Sequence, residues 1–149
     1  MAYRETRLRN ADLKYFFNVS KSVGPAMPNS KTDVALVQAL LCNCYDGGDI
    51  VRLKIDGNFG PKTGAAIRQF QADFSRFSQR AGLLALDKDG IVTRADNLGF
   101  DGPSGGIIAY TIVALNFTLI RSKPKVWESF PNSKGIPAFL RPELMKTVS

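Results

Sequence analysis

Asp56-Gly57-Asn58-Phe59-Gly60-Pro61-Lys62-Thr63 is the stretch whose reading decides the fold. An Asp side chain accepts backbone hydrogen bonds inside a turn. Gly57 supplies the positive φ that such a turn requires, and Phe59 can pin it to an apolar core. Gly60-Pro61 then opens a helix, because proline is tolerated in the first turn, where its missing N–H leaves no bond unmade. Downstream, Ile67, Phe70, Phe74 and Phe77 fall at i, i+3, i+7 and i+10 and form one apolar stripe. Arg68, Gln69, Gln71 and Asp73 occupy the polar side.

Upstream, Ser30-Lys31-Thr32-Asp33 resembles a capping box and starts a helix carrying Val34, Val37, Leu40, Leu41 and Cys44. Asp46-Gly47-Gly48-Asp49 ends it. Ile50 to Ile55 alternates apolar and basic for most of its length. It suits either a strand of a small hairpin or an extended connection. Gly82 is expected to close the second helix. Asp89-Gly90-Ile91-Val92 then repeats the pattern of Asp56-Gly57-Asn58-Phe59, with apolar residues shortly after the glycine. This is a weak internal repeat, too short for a solenoid. Residues 94–106 read as a surface loop, and a third helix is expected over 107–120 with Ile108, Ile112, Leu115 and Leu119 as its seam.

These signals predict a mainly α fold: a compact three-helix domain with extended arms and room for a short hairpin. The division is an N-terminal arm over residues 1–29, a core over 30–120 with an insertion at 94–106, and a Pro-rich basic tail over 121–149. In the first arm, Tyr15 to Val19 reads as a short strand or extended segment packing on the core. The tail, with Pro124, Pro131, Pro137 and Pro142, is expected to wrap over the surface with little regular structure beyond a turn at Pro142 to Lys146.

At 149 residues and 44% hydrophobic, the chain can bury one real core. Its net charge of +7 sits in the arms. Residues 1–31 and 121–149 each hold six Lys/Arg against two acids, while 32–120 holds eight against nine. Basic arms can contact an acidic partner or simply stay solvated. With a core near neutrality and no recognition helix, nucleic acid is not the expected partner. No apolar run reaches membrane-spanning length, so no membrane insertion is expected. Residues 1–10 carry Arg4, Arg7 and Arg9 with no apolar core behind them. They predict synthesis in the cytoplasm without a conventional secretory signal. Action in the periplasm or cell envelope would then need another route.

The core resembles the peptidoglycan-binding-like domain family. That family carries Val-Gln and Leu-Leu on its first helix, an Asp-Gly-x-Phe-Gly turn, a Thr three residues on, an Ala-apolar pair and Phe-Gln. Here these are Val37-Gln38, Leu40-Leu41, Asp56 to Gly60, Thr63, Ala66-Ile67 and Phe70-Gln71. The last helix lacks the family's Thr-Trp start, and Tyr110-Thr111 stands in its place. The resemblance implies a three-helix module that recognises bacterial peptidoglycan through stem peptide or glycan, usually tethering a hydrolase. A phage or secretion apparatus is one context for it. Asp56, Gly57, Phe59, Gly60, Thr63 and Phe70 are then structural. Ligand contacts are expected from Asn58, Lys62, Arg68, Gln71 and Asp73 beside the turn, because Arg, Lys and amides match stem-peptide carboxylates and amides.

An enzyme is not expected. The chain has no histidine, which removes His-based triads and leaves Cys42 and Cys44 without partners for zinc. The only glutamates, Glu5, Glu128 and Glu143, lie in the arms, so a glycosidase pair is missing from the core. The two cysteines are expected as small, buried or half-buried apolar residues. No cofactor is expected. The alternative function is a protein-interaction or structural protein that reuses the same fold without binding cell wall.

Overall fold

The computed structural model describes residues 2–5, 15–80, 86–95, 110–133 and 135–148. It is mainly helical. In chain order the elements are β1 (Tyr3–Glu5), β2 (Phe16–Asn18), α1 (Lys31–Cys44), α2 (Pro61–Arg80), α3 (Thr111–Ser122), α4 (Pro124–Glu128), α5 (Arg141–Met145) and β3 (Thr147–Val148). Short 3-10 turns lie at Asp49–Arg52 and Phe130–Asn132.

Helix α1 is the centre of the molecule. Every residue from Asp33 to Leu41 is buried, which is the pattern of a helix enclosed on all sides rather than one with a single apolar face. Val34, Val37, Leu40 and Leu41 join Ile67, Phe70 and Phe74 of α2 and Ile112, Leu115 and Leu119 of α3 in one core. Phe59 packs against it while half-buried. Phe77, the fourth member of the α2 stripe, is 37% exposed.

The capping box does not form, because the Ser30 side chain makes no cap hydrogen bond. The Asp33 carboxylate instead accepts from the Ser20 N–H (3.0 Å), the Ser20 hydroxyl (2.9 Å) and the Lys21 N–H (3.1 Å). It ties the N-terminal arm to the first turn of α1, where the helix dipole favours a negative charge. The other end of α1 is closed from α3. Lys123 Nζ donates to the Asn43 carbonyl at 2.8 Å and lies 3.0 Å from the Asp46 carboxylate. A cation there satisfies carbonyls that the helix leaves open.

Both arms are built into the fold. β1 pairs antiparallel with β2 and parallel with β3, giving the order β2-β1-β3. The two ends of the chain therefore meet in one small sheet. The outer edge of β2 is capped by a side chain, since Phe17 N–H donates to Asn116 Oδ1 (2.8 Å) and Asn116 Nδ2 donates back to the Phe17 carbonyl (2.9 Å).

The expectation of a tail with little regular structure is corrected. Trp127, Phe130, Ile136, Leu140 and Leu144 are buried in the core. Trp127 stacks on Tyr15 with ring centroids 4.6 Å apart, and its indole N–H donates to Asn116 Oδ1. The prolines do not break structure here. Pro124 and Pro142 stand in the first turns of α4 and α5, and Pro131 in that of the 3-10 turn.

Two other expectations shift. Ile50 to Ile55 forms no hairpin strand; it is the 3-10 turn followed by extended chain. The third helix begins at Thr111 with Tyr110 as its N-cap; residues 107–109, with Ile108 of the seam, lie outside the described residues, as does Gly82. The loop expected over 94–106 lies largely outside them too. Ala95, at its start, is buried and exchanges hydrogen bonds with the Asn18 side chain.

Candidate functional site

The deciding turn is held by one buried amide. Gln38 on α1 accepts from the Asp56 N–H (3.1 Å) and the Gly57 N–H (2.9 Å). Its NH2 donates to Asp56 Oδ1, the Asn58 carbonyl and Thr63 Oγ1, each at 3.1 Å. Asp56 Oδ1 also takes the Asn58 N–H at 2.9 Å. That backbone bond is the main cause of an Asp56 carboxyl held below the ordinary carboxylate range, helped by the Gln38 side chain. Gly57 has φ +77°, and a Cβ on it would come within 2.7 Å of the Lys31 carbonyl oxygen, so only glycine fits.

The second turn is a copy. Gln71 on α2 accepts from the Gly90 N–H (2.9 Å) and donates to Asp89 Oδ1 (3.2 Å), the Ile91 carbonyl (3.1 Å) and Thr111 Oγ1 (3.1 Å). The Ile91 N–H returns to Asp89 Oδ1 at 2.9 Å. In both copies the glutamine is 18 residues from the aspartate, 19 from the glycine and 20 from the accepting carbonyl. To the threonine the separation is 25 residues in the first copy and 40 in the second. The insertion therefore lies between the second turn and Thr111.

The same repeat accounts for Cys42. Its thiol donates to the Leu53 carbonyl, 11 residues on, as the Ser75 hydroxyl donates to the Leu86 carbonyl, also 11 on. Cys44 Sγ reaches the Leu115 carbonyl, and burial pushes both thiols up. Neither is poised for nucleophilic chemistry. Among the described residues, no group of three or more Cys, Asp or Glu side chains could hold a metal ion.

These contacts divide the residues expected to meet a ligand. Gln71 is fully buried and its amide holds the second turn as Gln38 holds the first, so it does not face a ligand. Polar residues on a helix face can be buried by a distant turn, and here Asp89-Gly90 was the signal for it. Asn58, Lys62 and Arg68 are exposed. Arg68 runs along Gly90 towards Gly64, and a Cβ on Gly90 would meet its Cγ at 3.2 Å. Asp73 lies elsewhere, accepting from the Tyr45 hydroxyl at 2.7 Å and pairing with Arg76. Burial, then the Asp73 hydrogen bond, raises the Tyr45 phenol, which stays a donor.

Asp73 stands on a groove of about 340 Å³ between the end of α1, α2 and α3. Phe70, Phe74 and Phe117 form its floor, with Tyr45, Phe77 and Arg121 around its mouth. The Arg121 guanidinium carbon lies 4.7 Å from the Phe77 ring centroid and 5.7 Å from that of Phe117. Aromatic sequence spacing foretold the stripe on α2 but not this opening. It arises because α3 meets α2 through Phe117 edge-on to Phe74, at 86° between ring planes.

Residues 30–76 match the family described as Putative peptidoglycan binding domain. The matched segment runs from the start of α1 through the first clamped turn and most of α2. No curated protein and no solved structure matches the chain significantly.

Proposed function

We propose that this chain is a non-catalytic binding module that recognises bacterial cell-wall peptidoglycan, acting in the cell envelope. The observation that carries the reading is the family match over residues 30–76, in which Asn58, Lys62 and Arg68 are among the side chains exposed at and beside the turn. Amide, ammonium and guanidinium groups suit the carboxylates and amides of stem peptides. A phage particle, a secretion apparatus or a partner hydrolase is the setting we propose for such a module. No helix among the described residues is long and apolar enough to cross a membrane, so insertion as a helix plays no part in the proposal.

Co-sedimentation with purified sacculi tests it. The wild type should pellet with the sacculi, and a Lys62→Ala, Arg68→Ala double variant should pellet less. Both positions are exposed, so each change should shift stability by under about 0.5 kcal/mol. A folded wild type that never pellets would favour the other reading, in which the fold serves a protein partner.

A further inference from the structure

None of the described residues fills the groove over α2 and α3, and its chemistry narrows what it can hold. At about 340 Å³ it is in the range of small-ligand sites. Its floor is apolar. Most polar groups around it are committed. The Thr118 hydroxyl donates to the Ala114 carbonyl, the Ser122 hydroxyl to the Thr118 carbonyl and the Cys44 thiol to the Leu115 carbonyl. Asp73 is taken by Tyr45 and Arg76. Among the described residues, Arg121 has no carboxylate partner. The charge left over at the mouth is therefore a guanidinium lying against aromatic faces, where its weak hydration and planar donors favour a carboxylate.

We infer that the groove binds the free carboxylate end of a short peptide with small apolar side chains. Arg121 would take the carboxylate and the phenylalanine floor the methyl groups. The inference rests on the peptidoglycan reading for the source of that peptide, a stem peptide. A glycan fits less well. A sugar needs an open ring face and hydrogen-bond donors as well as acceptors, whereas Arg121 covers Phe77, the exposed ring, and the Thr118 and Ser122 hydroxyls have already given their protons to backbone carbonyls.

The test is titration of the protein, followed by NMR and calorimetry, with diacetyl-lysyl-D-alanyl-D-alanine, with its C-terminal amide, and with chitotetraose. The acid should bind and shift the ring signals of Phe77 and Phe117. The amide should bind roughly tenfold more weakly, since a charge-assisted pair is lost. Arg121→Gln should weaken the acid by a similar factor and leave the amide unchanged, while Arg121→Lys should restore part of the preference for the acid. Equal affinity for acid and amide, or an Arg121→Gln variant that binds the acid like wild type, overturns the inference. So does chitotetraose moving the groove signals where the acid does not. Sacculus binding that survives such a result would leave the peptidoglycan reading standing without the groove. Acid binding in the groove without any sacculus binding would do the reverse.

Discussion

Gln71 shows how one side chain can be read two ways. On a helix surface it is an exposed amide ready for a ligand. In the fold it is buried and holds Asp89, Gly90, Ile91 and Thr111 together, as Gln38 holds the first turn. Removing either amide leaves several buried backbone and hydroxyl groups without partners. Gln71→Ala should therefore cost at least about 2 kcal/mol in urea unfolding; a loss near zero would contradict the clamp. Asp56 adds a pH signature. Its folded pKa is lowered, first by the Asn58 N–H, so it contributes stability above the ordinary carboxylate pKa. That contribution is lost as pH falls through the lower, folded value. Asp56→Asn keeps an acceptor and removes the titration, so its stability should fall less steeply on acidification than that of wild type. Parallel slopes would show that Asp56 is not linked to the acid transition.

At the scale of elements, the helices and turns of the core were legible, as was the Tyr15 to Val19 strand of the N-terminal arm, and the tail was not. Val34 to Leu41 and Ile67 to Phe74 announced α1 and α2 through their spacing, and the two Asp-Gly turns announced the repeat. The groove was not legible, because it depends on where α3 lands. The tail was misread because its apolar residues are too sparse for any period and its prolines look like breakers. Each helix there is a turn or so long, held by a single large anchor. Trp127 is the largest of these, packed on Tyr15 and Phe17 and bonded to Asn116. Trp127→Ala should cost about 3–5 kcal/mol, and near-ultraviolet circular dichroism with urea unfolding would measure it. A variant as stable as wild type would return the tail to the role of a surface wrap. Asn116 was visible in the sequence only as a polar break in an apolar helix. Its partner, the edge of β2, lies 99 residues away.

At the scale of the whole molecule, a clamped two-turn core is flanked by arms that meet in one sheet, and the turn rim and the groove both lie open at its surface. The basic charge counted in the sequence lies mostly in those arms. Any attraction to anionic cell wall therefore has two sources that differ in salt response. Attraction by dispersed surface cations is screened within about 8 Å at physiological ionic strength, whereas contacts in a shaped, partly desolvated site are screened far less. The most direct measurement is the affinity of the intact, folded protein for purified sacculi as salt is raised from low to physiological and beyond. The expected result is saturable binding that persists through physiological salt and weakens in the Lys62→Ala, Arg68→Ala variant. No sedimentation at any salt, or binding that vanishes with salt and follows only the charges of residues 1–31 and 121–149, would contradict a peptidoglycan-recognising module.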